Sequence, residues 1–247
     1  MKKNSLDPRC VIKMSVPALI ITVEGNIGAG KSTILKKIRQ RVKSCNCVAI
    51  IPEPAEEWME RQYLQKMYSN RIDPCTFQMA VLTSLTSRLM TKLQRDSRPL
   101  ILITERSPFT NLSIFAKWKL EEDQFDIYKY AWTDVTEMLF AANVTVRHVV
   151  LLGDVARTMQ RIRLRNRACE QCLNTTEVEA LEARHRLWMS ELEPEIVATV
   201  SHEDDVDVVA SNVCEAIAHF IRDASAQFPD HVQEQLNATR TLLDSKF

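Results

Sequence analysis

The sequence predicts an α/β fold, a five-stranded parallel sheet flanked by helices, and three observations carry that expectation. Short runs rich in Val, Ile and Leu recur along the 247 residues, with the unbroken apolar character of strands buried on both faces. Longer segments with helical start signals separate them, and such alternation implies crossover connections between parallel strands. A glycine-containing stretch joins the first apolar run directly to a helix-like segment, at the carboxyl end of a strand, where parallel sheets gather ligands.

Along the chain, strands are expected at 17–24, 47–52, 100–104 and 144–152, with a weaker one at 196–201. A helix should begin at Ser32. The start of the next is written out: Asp73 can cap free N–H groups, and Pro74, which has no N–H, suits the first helical position. Three more should begin near Asp123, Asp154 and Thr175. Together these elements make one domain over 17–223. A loose leader at 1–16 precedes it, and a polar helix-like tail at 224–247, to which no role is assigned, follows it.

Composition narrows the function classes. Hydrophobic residues at 45% and charged residues at 26% are ordinary for a globular chain. The formal net charge is zero, and binding to nucleic acid rests on a basic excess, so no nucleic-acid partner is expected. No apolar run approaches the ~20 residues that span a bilayer, so no membrane partner is expected either. Seven cysteines, odd in number and scattered, read as the reduced thiols of the cytosol. The leader lacks the apolar core of a secretory signal, and Asp7 and Pro8 suit a mitochondrial transit peptide poorly. A cytoplasmic location is therefore expected ahead of a mitochondrial one. Cys169 and Cys172 form a C-x-x-C without the second pair in register that a structural zinc site uses.

The stretch after the first strand is Gly25-Asn26-Ile27-Gly28-Ala29-Gly30-Lys31-Ser32, followed by Thr33. This is a phosphate-binding loop. Backbone N–H groups at a helix N-terminus point at phosphates, Lys31 can reach the outer ones, and the Ser32 hydroxyl can ligate magnesium. The chain has only four glycines where average usage of about 7% would give about seventeen, and three of the four stand in this loop. Such a chain places glycine where the backbone demands it. ATP and Mg2+ are the expected ligands. A regulatory GTPase would need a guanine-reading Asn-Lys-x-Asp, and none occurs.

Carboxylates follow the next two strands. Pro52-Glu53-Pro54-Ala55-Glu56-Glu57-Trp58 ends the second, and Thr104-Glu105-Arg106-Ser107 ends the third. Further on come the pair Phe77-Gln78 and five arginines, Arg157, Arg161, Arg163, Arg165 and Arg167. In this order and spacing, over about residues 17–221, the motifs resemble those of the deoxyribonucleoside kinase family, the relatives of deoxycytidine kinase and mitochondrial thymidine kinase. The resemblance implies a P-loop kinase fold with an arginine-rich lid and a homodimer. It implies ATP-dependent phosphorylation of a deoxyribonucleoside 5'-hydroxyl, a step of nucleotide salvage.

Residue by residue, the resemblance gives Glu53 the part of general base and Arg106 the part of clamp on that carboxylate and the incoming phosphate. Glu105 joins Ser32 at magnesium. A structural ion pair is the plainer reading of Glu53 and Arg106. Gln78 resembles the reader of the base edge, a part that suits an amide able to donate and accept at once. Trp58 and Phe77 resemble the walls of the base slot, Tyr68 and Glu170 the contacts to the sugar. Gln78, Val81 and Leu85 share one helical face, although Trp58, Phe77 and Val81 would also suit plain core. Arg165 and Arg167 match the R-x-R of the lid, and Arg161 the arginine near the adenine. Planar guanidinium groups suit phosphate clamping, whereas Arg157 and Arg163 also fit a solvated face. Glu203-Asp204-Asp205 falls where the family has its adenine loop, though three adjacent acids also make a solvated turn.

The base slot departs from the pattern. Asn111 stands where cytidine- and purine-preferring members carry aspartate and thymidine kinases a small residue. Val81 and Leu85 lack the bulky charge that narrows other pockets. A pyrimidine, thymidine or deoxycytidine or both, is the expected base. The helix near Asp123 carries Phe125, Tyr128 and Trp132 on one face, the expected dimer surface. Two other readings remain open: a thymidylate-type nucleoside monophosphate kinase, which shares the loop and a Glu-Pro, and a non-catalytic accessory subunit that keeps the fold.

Overall fold

A computed structural model describes residues 16–94 and 99–245. The expected leader, apart from Val16, lies outside them. Five strands form one sheet: β1 (Ala18–Gly25), β2 (Val48–Ile51), β3 (Ile101–Glu105), β4 (Val144–Leu152) and β5 (Val197–Ser201). All pair in parallel, in the order β2-β3-β1-β4-β5. β1 and β3 are buried along their whole length, which is why their sequences are apolar runs without alternation. Because β1 lies between β3 and β4, the chain ends of these strands open onto one rim, where the order of connections reverses.

Eleven α-helices are distinguished among the described residues. α1 (Lys31–Arg41) starts inside the glycine loop. α2 (Ala55–Glu60) and α3 (Tyr63–Tyr68) follow β2, and α4 (Pro74–Leu93) follows them. Asp73 caps α4 as its sequence indicates, its carboxylate accepting from Thr76 N at 3.0 Å with Pro74 at the first position. After β3 comes an irregular helical stretch: α5 (Pro108–Thr110), a π-helix (Asn111–Ala116) and α6 (Lys117–Lys119). α7 (Glu122–Ala141), α8 (Val155–Arg165) and α9 (Thr175–Ser190) are capped by Glu121, Asp154 and Asn174. α10 (Val206–Ala224) and α11 (Gln233–Asp244) close the chain.

α1 and α10 cover one face of the sheet, where Ile34, Ile38, Val213 and Ile217 meet Leu19, Ile21 and Ile103. The tail belongs to this same core: Phe228, Val232, Leu236 and Leu243 are buried in it. α4 and α7 lie on the other face, with Leu89, Leu93 and Leu139 against Ile20 and Leu102. None of the helices among the described residues is long and apolar enough to cross a membrane.

The expected dimer face needs correction. Tyr128 is fully buried, and Phe125 and Trp132 pack with it around Leu82 and Ala116. Trp132 Nε1 donates to Pro108 O at 2.9 Å. α7 carries apolar residues all round, so periodicity alone could not tell which stripe turns inward. The exposed stripe is Ile127, Tyr130 and Met138, 65%, 74% and 55% accessible.

Candidate active site

A cavity of about 880 Å³ opens along the carboxyl rim of the sheet. The glycine loop forms one wall, with Ile27 to Thr33 all lining it. Gly25 and Asn26 lie behind the wall. Gly25 has φ +138°, and a Cβ there would stand 2.6 Å from Leu151 O, so only glycine lets β1 leave the sheet at this point. Gly28, at φ +84°, packs on α8, where a Cβ would meet Ile162 Cγ1 at 2.8 Å.

Lys31 is buried, and its Nζ donates to Gly25 O at 3.0 Å and Asn26 O at 2.8 Å. Desolvation, and then the charge of Arg106, bring its pKa down from 10.5 to about 7, against the pull of Glu53, Glu105 and Glu24. Beside it, Ser32 Oγ donates to Glu105 Oε1 at 2.6 Å. The two residues expected at magnesium are thus in contact.

Arg106 and Glu53 meet across the end of the sheet. Arg106 Nε lies 2.8 Å from Glu53 Oε1, and its NH1 donates to Gly25 O at 3.1 Å. Its guanidinium carbon sits 4.4 Å from the centre of the Phe115 ring. The backbone of Arg106 is left-handed at φ +64°, a conformation that costs a side-chain-bearing residue about 1–3 kcal/mol. Neighbours hold it there: Arg106 N donates to Val23 O, and Thr104 Oγ1 donates to Arg106 O at 2.8 Å. The turn aims the guanidinium at the loop rather than along the strand.

Trp58, Tyr68, Phe77, Gln78, Val81, Asn111 and Glu170 line the far part of the same cavity. Trp58 and Phe77 pack edge to face at 6.0 Å. Gln78 is buried, with its Oε1 unpartnered among the described residues. Asn111 Nδ2 donates to Tyr128 OH at 2.6 Å and more weakly to Gln78 O at 3.4 Å. Burial pushes the Tyr68 hydroxyl above the usual tyrosine range. Leu85 is the exception. It packs behind the wall with Trp58, Met67 and Phe77 and does not line the cavity.

The five arginines divide into two sets. Arg161, Arg165 and Arg167 line the cavity, whereas Arg157 and Arg163 do not and are exposed. Glu170 accepts from Arg165 Nε at 3.1 Å and from Arg167 NH1 at 3.4 Å. Arg161 donates to His202 O at 2.9 Å and approaches His202 Nδ1 at 3.1 Å.

Four residues here lie outside the sequence expectations. Arg88 lines the cavity and pairs with Glu57 at 3.2 Å, so the slot does carry a charged side chain. Its spacing from Gln78 and Val81 on the face of α4 was a readable signal. His202 follows β5 directly and lines the cavity, while Glu203, Asp204 and Asp205 after it are exposed. Phe115 reaches Arg106 from the π-helix, whose altered phase hides it from helical periodicity. Glu24, concealed within an apolar strand, is fully buried and accepts from Thr110 Oγ1 at 2.8 Å; burial raises its pKa.

Among families of known proteins, the deoxynucleoside kinase model matches residues 21–222. The chain belongs to the deoxynucleoside kinase family. It is 26% identical over 203 residues to the thymidine kinase of Ictalurid herpesvirus 1 (strain Auburn), covering 79% of this chain and 86% of that one. It is 29% identical over 198 residues to the deoxycytidine kinase of Homo sapiens, covering 68% and 74%. Membership in this family supports a phosphotransferase activity and implies ATP as its donor.

Proposed function

We propose that this deoxynucleoside kinase family member transfers the γ-phosphoryl group of ATP to the 5'-hydroxyl of a pyrimidine deoxyribonucleoside, deoxycytidine ahead of thymidine. The observation that supports it most is the Glu53–Arg106 pair at 2.8 Å, set at the end of the sheet beside Lys31. In this reading Arg106 occupies one oxygen of Glu53 and leaves the other to take the proton of the 5'-hydroxyl. The deprotonated 5'-oxygen then bonds to the γ-phosphorus as the bond from that phosphorus to the bridging oxygen of ADP breaks. Lys31 and the loop N–H groups face the donor phosphates, and Arg161, Arg165 and Arg167 act as the lid over them. Ser32 and Glu105 present hard oxygen donors 2.6 Å apart, a set that fits Mg2+, and these two would hold it. Bound there, the ion would neutralise charge on the phosphates.

The base edge supports deoxycytidine. Gln78 O can only accept, so the nitrogen of the Asn111 amide must face it, and the amide oxygen is left for the cavity. Gln78 Oε1 lies buried and unpartnered among the described residues beside it. An exocyclic amino group can donate to the Asn111 oxygen, whereas the thymine carbonyl at that position would face it oxygen to oxygen.

Glu53→Ala tests the assignment. Turnover of the preferred nucleoside should fall by about 10²–10⁴-fold, with MgATP affinity within a factor of about three of wild type by calorimetry. Unchanged turnover would remove Glu53 from the base role. Wild-type protein that consumes thymidylate but no nucleoside would be a monophosphate kinase instead.

A further inference from the structure

A buried carboxylate that the reaction does not use stands behind the phosphate loop. Glu182, on α9, is 5% exposed and does not line the cavity. Its Oε2 accepts from Asn26 Nδ2 at 3.2 Å. Its Oε1 accepts from Gly153 N at 3.2 Å and from Arg186 NH2 at 3.2 Å. Asn26 is itself fully buried and shapes the loop: its Oδ1 accepts from Ile27 N at 2.8 Å, and its Nδ2 also donates to Val178 O at 2.9 Å. Gly153 follows β4 and leads straight into Asp154, the cap of α8. One carboxylate therefore ties the loop to the start of the helix that carries Arg161 and Arg165.

We infer that Glu182 is a positioning residue for the donor phosphates, holding the phosphate loop and the arginine-bearing helix α8 in one register. The inference rests on the donor side of the proposed function. Its chemistry is specific to a carboxylate, which accepts three N–H groups at once without a proton of its own. A glutamine offers one oxygen and one NH2, so its NH2 must face either Asn26 Nδ2 or Gly153 N, donor against donor. One side of the tie is lost in either orientation. Arg186, 54% exposed at its side chain, supplies the balancing charge from outside the tie.

The experiment is a calorimetric titration of full-length wild type, Glu182→Gln and Arg186→Gln with MgATP, with KM for ATP and for nucleoside and the melting temperature of each. Glu182→Gln should weaken MgATP binding about tenfold, as loss of a charge-assisted hydrogen bond would, raise KM for ATP in step and leave KM for nucleoside unchanged. Arg186→Gln should lower the melting temperature comparably while keeping MgATP affinity within about twofold. A Glu182→Gln protein of wild-type affinity, or one whose two KM values rise together, would overturn the assignment. Should that variant not fold, Glu182→Asp, which keeps the charge but shortens the reach, is read by the same titration with the same outcomes. A wild type that bound no MgATP would overturn the donor reading as well, whereas altered affinity in Glu182→Gln alone supports the tie whatever the acceptor proves to be.

Discussion

Lys31 carries the clearest pH signature. With a native pKa of about 7 against 10.5 in the unfolded chain, it is neutral in the fold and charged in the unfolded state between those values. The unfolded state then binds more protons, so this residue makes stability rise with pH across that window, while below it both states are protonated and the cost of burying the charge is felt in full. Unfolding followed from pH 7 to 9 should show a gentler rise in Lys31→Met than in wild type, and equal slopes would contradict the burial described. Tyr128 has no route to the substrate, yet its hydroxyl holds the Asn111 amide at 2.6 Å. Tyr128→Phe should free that amide to turn. The proposed preference for deoxycytidine over thymidine in kcat/KM should then fall about tenfold, the scale of one buried polar contact. Competition assays with both nucleosides check it.

At the scale of elements, what was legible in the sequence was what local physics decides. The central strands β1 and β3 show as apolar runs because both faces of the sheet are covered there, and α4 shows through Asp73 and Pro74 because capping is a contact between near neighbours. Asp73→Ala should accordingly cost about 1 kcal/mol, measured as a lowered midpoint of urea unfolding with an unchanged slope. α10 goes beyond the helices read from the sequence, although Val209, Val213, Ile217 and Phe220 give it an apolar stripe that could have been counted. The π-helix after β3 and the short α2 and α3 are another matter. They bend to the cavity they line, and no periodic pattern records that. Within the site, the loop, Glu53, Arg106 and Gln78 were legible because each follows a strand or fits a chemical motif. Leu85 lies behind the cavity wall and Arg88 on it because one face of α4 serves both core and cavity, and only packing divides it.

Among the described residues, α7 carries an exposed apolar stripe of Ile127, Tyr130 and Met138, a surface that a homodimer would cover. Tyr130→Arg with Met138→Glu should give a monomer by light scattering with a near-native circular dichroism spectrum; a wild type that is already monomeric at micromolar concentration would contradict it. The fold brings residues from the ends of β1, β2, β3 and β5 and from α4 and α8 to a single cavity, with the phosphate loop at one end and two amides at the other. In the proposed function that arrangement would give the donor and the acceptor separate walls, with Glu53 and Arg106 between them. The most direct test is product analysis by mass spectrometry after purified protein and MgATP are incubated with each natural deoxyribonucleoside and with thymidylate. Deoxycytidine should appear as its 5'-monophosphate, with thymidine converted more slowly and thymidylate untouched. Conversion of thymidylate to the diphosphate with every nucleoside left intact would contradict the central claim.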